Sequence, residues 1–197
     1  GAGTGKTTVV TRRIAYLLEQ NLAKAEEVLA LTFTDKAAGE MEARVEQYLP
    51  LGSYDLWIST FHSFCERILK QHGLDMGLSN DFELLDKTRQ WIIVYKNFEK
   101  FQLDYYKPLG SPNKFIDSLL DHFSKCKDEM VSPEDYIEYA NNLPKPSDEE
   151  SIVEVKRLQE LATAYQTYQT LLLDNQYMDF GDLIHYTIKL FQKRPNI

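Results

Sequence analysis

A glycine-rich segment at the start of the chain, residues 1–8, constrains its fold more than any other stretch. Glycine allows positive φ angles and a close approach of the backbone to a ligand, so several N–H groups can converge on one anion. An apolar pattern with helical spacing begins directly after Lys6, and the positive end of that helix would face the same anion. We therefore predict a phosphate-binding loop leading into a helix, rather than a flexible glycine-rich terminus.

The residue types at the end of this segment favour a nucleotide with a magnesium ion. Gly5-Lys6-Thr7 matches the end of the pattern G-x-x-x-x-G-K-[ST], whose first glycine would fall one position before Gly1. In that pattern the lysine contacts the outer phosphates and the hydroxyl group binds Mg²⁺. Lys6 and Thr7 are therefore the predicted catalytic residues, with Thr7 as the metal ligand. The predicted nucleotide contacts are Gly1, Ala2, Gly3, Thr4, Gly5, Lys6, Thr7 and Thr8.

The bulk properties exclude a membrane protein and a disulfide-rich scaffold. The 197 residues, 43% of them hydrophobic, suffice for one ordinary domain or two small ones. The apolar runs are shorter than a membrane span, and two isolated cysteines, Cys65 and Cys126, indicate a reducing compartment such as the cytoplasm. A net charge of -8 counts against a broad nucleic-acid surface but does not exclude a narrow groove of aromatic and hydroxyl side chains.

Strands and helices alternate through the first part of the chain. Residues 28–33 and 56–59 are short apolar runs typical of strands in a parallel sheet, and helical patterns follow both. This order predicts an α/β fold, a parallel sheet with crossover helices, over residues 1–85. The strand that would precede the phosphate-binding loop is missing, so we expect the sheet to be incomplete.

The pattern becomes entirely helical from residue 86 to residue 175. Start signals for four helices are Asp86, the pair Ser111-Pro112, the pair Ser132-Pro133, and a capping box of Ser147 with Glu150. We predict an all-helical inserted subdomain over residues 86–175 and a return segment over residues 176–197. Asp179 and Asp182 fall at the start of the last helix and are predicted to cap it.

Two clusters of aromatic and hydroxyl residues follow the predicted strands. Phe33 and Thr34 come at the end of the first strand, and Thr60-Phe61-His62 at the end of the second. Each cluster alone is more often core or helix-capping than functional. Together, beside a phosphate-binding loop, they suit a single-stranded nucleic acid, because bases stack on aromatic faces and hydroxyl groups hold phosphates. Ligands of open α/β sheets bind at this edge.

Three segments taken together resemble a known family. Residues 3–7 (GTGKT), 31–41 (LTFTDKAAGEM) and 59–64 (STFHSF) are similar in order and spacing to motifs I, Ia and Ib of the UvrD/Rep/PcrA-type superfamily-one DNA helicases. Residues 178–183 (MDFGDL) resemble the segment that precedes the Walker B motif of that family. The similarity is looser through the helical middle, which corresponds in position and character to the inserted 1B subdomain.

This resemblance implies an incomplete RecA-like domain of a motor that uses ATP and Mg²⁺. Such a motor moves 3′ to 5′ on single-stranded DNA, unwinds duplex at single-strand/double-strand junctions, and often serves DNA repair. The DNA contacts implied for this chain are Phe33, Thr34, Lys36, Thr60, Phe61 and His62.

Two positions and one missing element depart from the family pattern. Thr8 stands where many relatives carry Arg, and Asp35 stands where Asn is common, so we expect Asp35 to cap its helix. The family's Asp-Glu pair, which holds Mg²⁺ and activates water, is expected after Ile197. We therefore predict that these 197 residues alone hydrolyse little or no ATP, although the parent protein does.

Three alternatives stay open. The first is the helicase part of an AddA/RecB-type helicase–nuclease, which shares these motifs. The second is a P-loop kinase or phosphotransferase whose helical insertion forms a lid, and the third is a non-catalytic nucleic-acid-binding module with a relic loop. The helicase–nuclease alternative also predicts two aromatic clusters at neighbouring strand ends and an intact Gly5-Lys6-Thr7. The kinase alternative does not predict the aromatic clusters, and the relic-loop alternative does not predict the intact loop.

Overall fold

The structure, a computed structural model, describes residues 5–49 and 56–197. The chain divides into two compact units, Gly1–Ile68 and Leu69–Ile197. Every helix in the described ranges is too short or too polar to cross a membrane.

The first unit alternates helices with two parallel strands. Its elements are α1 (Lys6–Glu19), a 3-10 turn (Ala25–Glu27), β1 (Leu29–Thr32), α2 (Asp35–Glu46), β2 (Trp57–Thr60) and most of α3 (Phe61–His72). The strands pair in parallel, with Leu29 opposite Trp57 and Thr32 opposite Thr60. The predicted parallel sheet with crossover helices is confirmed for this part of the chain, and it is compatible with an incomplete RecA-like domain.

One apolar cluster holds the helices of the first unit on the sheet. Its buried members are Ile14, Val28, Met41, Val45 and Leu56. Two residues that the helical pattern places inside, Val10 and Tyr48, are instead exposed. In α1 the inward stripe consists of Thr11, Ile14 and Ala15, so Val10 lies beside it.

The second unit is mainly helical. Its elements after the end of α3 are a 3-10 turn (Gly73–Met76), β3 (Glu83–Leu84), α4 (Lys87–Lys96), a 3-10 turn (Phe98–Phe101), α5 (Ile116–Asp128), α6 (Pro133–Asn141), α7 (Glu149–Asp174), β4 (Tyr177–Met178) and α8 (Phe180–Lys193). Its core is an aromatic stack between α5 and α7. The Phe123 ring lies 5.3 Å from the Tyr165 ring and 5.3 Å from the Tyr168 ring, with interplanar angles of 17° and 27°.

A short parallel pair, β3 and β4, brackets the helical segment between them. Glu83 lies opposite Tyr177, and the Leu85 N–H donates to the Met178 carbonyl at 2.8 Å. The sequence pattern predicted no strand after residue 85, because a two-residue strand is too short to show alternation. The chain therefore enters and leaves its helical segment side by side.

Two of the four predicted helix starts in this unit are confirmed. The Asp86 carboxylate accepts a hydrogen bond from the Arg89 N–H at 2.8 Å and caps α4. Ser132 and Asp135 form a reciprocal capping box at the start of α6, with Pro133 as its first residue.

The other two predicted starts are wrong. The predicted Ser111-Pro112 start is not used, since α5 begins at Ile116. The preceding loop is organised instead by Glu160 on α7, whose carboxylate accepts hydrogen bonds from the N–H groups of three successive residues, 104–106. The predicted box of Ser147 with Glu150 does not form, because Asp148 caps α7.

Candidate nucleic-acid interface

Helix α1 begins with a glycine in the left-handed region and a first turn without carboxylates. Gly5 has φ +73°, where an L side chain is strained, and its carbonyl accepts a hydrogen bond from the Val9 N–H at 3.0 Å. Lys6 and Thr7 are exposed, and Thr8 is half-buried. In the part of the chain that the structure describes, the first turn of α1 has no carboxylate to neutralise the positive end of the helix dipole, which favours an anion. The predicted contacts Gly1, Ala2, Gly3 and Thr4 lie outside the described residues.

The carboxyl ends of β1 and β2 bring two phenylalanines together. Thr32 and Thr60 are opposite each other in the sheet, and Phe33 and Phe61 are the next residues. Their ring centroids lie 6.0 Å apart with an interplanar angle of 52°. The Phe33 residue is 91% exposed and Phe61 is 45% exposed, although both are large and apolar. A tilted pair of exposed rings offers flat faces on which a base can stack.

Threonines at the same two strand ends cap the helices that follow. Thr34 Oγ1 accepts a hydrogen bond from the Ala37 N–H at 3.2 Å, and Thr60 Oγ1 accepts one from the Ser63 N–H at 3.1 Å. Thr34 is exposed, and since its oxygen serves as an acceptor inside the protein, its hydroxyl hydrogen is the group available to a phosphate oxygen, whereas Thr60 is buried, only 6% exposed. The Thr60 hydroxyl is also within 2.8 Å of Ser63 Oγ.

The prediction that Asp35 caps its helix is wrong. Thr34 is the cap of α2, and Asp35 is the exposed first residue of the helix. Its carboxylate lies in the first turn, where it is favoured by the helix dipole. Lys36 is the exposed second residue of α2, and His62 is the half-buried second residue of α3.

The connectivity places the start of α1 at the same edge of the sheet. The helix packs on the sheet through Ile14 and Leu18, and a short connection from its end leads into the start of β1. A helix that feeds a parallel strand in this way begins at the edge where the strands end. Lys6, Phe33 and Phe61 are therefore on one edge of the first unit.

A buried charge cluster in the second unit was not foreseen from the sequence. Lys127 Nζ lies 2.6 Å from Asp179 Oδ2 and 2.9 Å from Asp182 Oδ1, and all three side chains are almost completely buried. Tyr168 donates its hydroxyl hydrogen to Asp179, and Gln169 donates from Nε2 to Asp182, both at 2.9 Å. We call Lys127, Asp179 and Asp182 the buried ion triad.

The triad also forms the start of α8, which confirms the predicted capping roles of both aspartates. Asp179 Oδ1 accepts a hydrogen bond from the Asp182 N–H, and Asp182 Oδ2 accepts one from the Asp179 N–H. Burial alone would raise the pKa of Asp179, but the Lys127 ammonium lowers it below its usual value. Burial raises the pKa of Asp182 to about 6 despite that ammonium, since two carboxylates share one cation.

These aspartates are structural groups rather than metal ligands. Their oxygens accept from Lys127, from Tyr168 and Gln169, and from backbone N–H groups. Within the described ranges, no group of three His, Cys, Asp or Glu side chains is placed to hold a metal ion. One signal could have revealed the triad, because Lys127 falls on the buried stripe of α5, four residues after Phe123.

Comparison with known proteins places this arrangement in a family. The chain is 39% identical over 198 residues to the ATP-dependent DNA helicase PcrA of Bacillus subtilis (strain 168), an alignment covering 100% of this chain and 24% of that protein. It is 37% identical to the PcrA proteins of Staphylococcus epidermidis (strain RP62A) and Staphylococcus aureus (strain Mu50), covering 99% and 100% of this chain and 24% of each relative. The chain thus spans about a quarter of the length of these relatives. The family model for the UvrD/REP helicase N-terminal domain matches residues 1–197, and the chain therefore belongs to that family.

Proposed function

We propose that the chain is the ATP- and DNA-binding part of an ATP-dependent DNA helicase that moves 3′ to 5′ on single-stranded DNA and unwinds duplex at junctions. The observation that carries this proposal is the exposed Phe33–Phe61 ring pair at two adjacent strand ends. Two large apolar rings exposed to solvent lower the solubility of a protein and do not contribute to its hydrophobic core. A ligand that stacks on them is therefore the best explanation for their exposure. The PcrA relatives are ATP-dependent DNA helicases, which supports the same conclusion.

The nucleotide site is assigned to residues 1–8 at the start of α1. The left-handed Gly5 and the carboxylate-free first turn fit a phosphate group, and the exposed Lys6 fits its outer oxygens. The exposed Thr7 hydroxyl is the group for Mg²⁺, whose other ligands would come from phosphates and water. When bound, ATP supplies the free energy of phosphoryl transfer. The residues of this chain hold and orient the phosphates.

The DNA track is assigned to the strand ends beside that site. Bases stack on Phe33 and Phe61, and the exposed Thr34 hydroxyl donates to a phosphate, while the buried Thr60 fixes the start of α3 beside the DNA. Lys36 and His62 follow these threonines in the first turns of α2 and α3. Because hydrogen bonds to backbone N–H groups already hold the two threonine side chains in place, these side chains lose little conformational entropy when DNA binds.

The domain organisation follows the family. Residues 1–85 and 176–197 belong to the RecA-like domain, and residues 86–175 are the inserted helical subdomain. The pairing of β3 with β4 at the two ends of this segment supports an insertion. The protein acts on DNA in the cytoplasm, in repair or a related process. These 197 residues alone hydrolyse little ATP, because the Asp-Glu pair that activates water is expected after Ile197, and Asp128-Glu129 and Asp148-Glu149 lie at helix ends of the second unit.

Binding of labelled oligo-dT to the 197-residue chain, followed by fluorescence anisotropy, tests this proposal. Base stacking on an aromatic side chain is worth about 1–3 kcal/mol, so Phe33→Ala and Phe61→Ala should each weaken binding by about five- to a hundredfold. Phe191→Ala removes a partly exposed ring on α8 and is the matched control, with unchanged affinity expected. Lys6→Ala should reduce binding of a labelled ATP analogue and leave oligo-dT binding without nucleotide unchanged.

Two results would contradict the proposal. If the wild-type chain has no affinity for oligo-dT but binds the ATP analogue, the kinase alternative gains support. If Phe33→Ala and Phe61→Ala bind oligo-dT as tightly as Phe191→Ala does, the track assignment is wrong.

A further inference from the structure

Two hydroxyl groups meet where β2 ends and α3 begins, one of them buried and the other exposed. Thr60 is only 6% exposed, whereas Ser63, three residues later in the first turn of α3, is exposed. Their Oγ atoms lie 2.8 Å apart, and Thr60 Oγ1 also accepts a hydrogen bond from the Ser63 N–H at 3.1 Å. Either hydroxyl group could donate in the first of these contacts, and the difference in burial decides which one does.

Burial makes Thr60 the donor of the bond between the two hydroxyl groups. A hydroxyl group has one hydrogen to donate and two lone pairs with which to accept. In the part of the chain that the structure describes, Ser63 Oγ is the acceptor within reach of the Thr60 hydroxyl. If Ser63 donated instead, the Thr60 hydrogen would be buried without an acceptor, which is unfavourable. Thr60 therefore donates to Ser63 Oγ.

This direction leaves the hydroxyl hydrogen of Ser63 for a ligand. Because Ser63 Oγ accepts from Thr60, its own hydrogen points away from Thr60, and the residue is exposed. A hydroxyl group that already accepts one hydrogen bond is polarised and donates more strongly to the next partner. Ser63 is thus a donor whose orientation is set by a buried neighbour, and its ligand must bring an acceptor.

The position of Ser63 fits a phosphate of the proposed DNA strand. Ser63 lies two residues after Phe61, at the edge of the sheet where the two phenylalanine rings are exposed. The first turn of α3, which the structure describes in full, contains no acidic residue that would repel a phosphate. A phosphate oxygen is a charged acceptor, and a hydrogen bond to a charged group is stronger than one between neutral groups. Ser63 on α3 is therefore the counterpart of the exposed Thr34 hydroxyl before α2.

We propose that Ser63 is a DNA-contacting residue, whose hydroxyl group donates to the phosphate next to the base that stacks on Phe61. Thr60 is a positioning residue, because it acts on the DNA only through Ser63. The direct contact that the sequence resemblance implied for Thr60 thereby passes to Ser63. This inference rests on the proposed function, since it adds a phosphate contact to the same DNA track.

Chemically modified DNA tests whether Ser63 contacts a phosphate. Binding of labelled oligo-dT to the 197-residue chain is measured by fluorescence anisotropy, with the shortest oligonucleotide that binds at full affinity. Ser63→Ala should weaken binding by about five- to tenfold, and Ser118→Ala, at an exposed position of α5, should not change it. A methylphosphonate, which replaces one charged phosphate oxygen by a methyl group, is then placed at each linkage in turn. At one linkage, this modification should weaken binding to the wild type at least about threefold more than binding to Ser63→Ala.

Variants of Thr60 test its positioning role. Thr60→Val removes the hydroxyl group and should weaken oligo-dT binding by about two- to fivefold, whereas Thr60→Ser keeps the hydroxyl group and should bind like the wild type. In the Ser63→Ala background, Thr60→Val should change the affinity by less than about 1.5-fold, because no hydroxyl group is left to orient. An equal loss in both backgrounds would reflect lost helix capping alone and would contradict the positioning role. If Thr60→Val does not fold, the methylphosphonate comparison decides the proposal.

Two results would overturn the assignment of Ser63 and leave the DNA track intact. In the first, Phe33→Ala and Phe61→Ala weaken oligo-dT binding as expected, but Ser63→Ala binds as tightly as Ser118→Ala. In the second, the methylphosphonate effect is the same in the wild type and in Ser63→Ala at every linkage. If the wild-type chain does not bind oligo-dT at all, the proposed function itself fails, and the Ser63 contact fails with it.

Discussion

Replacing Lys127 with methionine tests whether the buried ion triad holds the second unit together. Methionine keeps the volume of the aliphatic stem but removes the only cation of the triad. The Lys127, Asp179 and Asp182 side chains are 1%, 8% and 2% exposed, and the ion-pair distances are 2.6 and 2.9 Å. The variant would leave two carboxylates buried without a counter-charge.

The expected cost follows from this geometry. Removing one partner of a buried ion pair costs about 3–5 kcal/mol, because the remaining charge stays desolvated. For a unit of this size, residues 69–197, such a loss lowers the melting temperature by about 10–20 °C. Tyr168 and Gln169 still donate to the carboxylates, which places the estimate at the lower end of the range.

The assay is denaturant unfolding followed by tryptophan fluorescence. The chain has two tryptophans, Trp57 in the first unit and Trp91 in the second, so a Trp57→Phe background reports on the second unit alone. Lys125→Met, an exposed lysine on the same helix, is the matched control and should change the unfolding free energy by less than about 0.5 kcal/mol. Lys127→Met combined with Asp182→Asn should recover more than about 1 kcal/mol, since one uncompensated charge is gone.

The reasoning would be refuted if Lys127→Met were no more destabilising than Lys125→Met. It would also be refuted if the Asp182→Asn change made the Lys127→Met protein still less stable.

Two further predictions concern His185 and two glycines. Because burial lowers the pKa of His185 to about 4 in the folded chain, the unfolded chain binds the extra proton first, and stability falls as the pH drops from 6.5 towards 4. The raised pKa of Asp182 has the opposite effect on stability, because the folded chain then binds the extra proton first. The measurement therefore compares urea unfolding of the wild type and His185→Gln at pH 7 and pH 5. The variant should lose less stability than the wild type between these two pH values. A Cβ at Gly181 would lie 2.9 Å from Lys127 Cδ, whereas a Cβ at Gly39 meets nothing within 4 Å. By thermal unfolding, Gly39→Ala should stabilise by about 0.5–1 kcal/mol, and Gly181→Ala should destabilise; the reverse order would contradict the packing.

Local signals in the sequence were sufficient for the strands and the parallel sheet of the first unit, but not for the orientation of Val10 and Tyr48. The apolar runs at residues 28–33 and 56–59 are short and partly β-branched, and the observed strands Leu29–Thr32 and Trp57–Thr60 overlap both. A threonine after a strand is a good helix cap, as Thr34 and Thr60 are in the structure, although the cap of α2 was predicted one residue later at Asp35. The aromatic pair could also be predicted, because parallel strands end at one edge of the sheet.

Long-range contacts explain the failures in the second unit. The segment at Ser111-Pro112 has a good local start signal, yet Glu160, more than forty residues later, organises the loop before it. The buried lysine was missed for a similar reason. Lys127 becomes acceptable in the core only because Asp179 and Asp182 reach it from α8. For pairings over such distances, the only local trace is the position of Lys127 on the apolar stripe of α5, which does not identify its partners.

The central claim is that single-stranded DNA runs across the ends of β1 and β2, and photo-crosslinking tests it most directly. Oligo-dT carrying a photoreactive thymine analogue is irradiated with the 197-residue chain, and the linked peptides are identified by mass spectrometry. We predict crosslinks to Phe33 and Phe61. An excess of unlabelled oligo-dT should reduce both crosslinks, and changing either phenylalanine to alanine should abolish the crosslink at that position. Linkage confined to residues 69–197, with none at either phenylalanine, would contradict the claim.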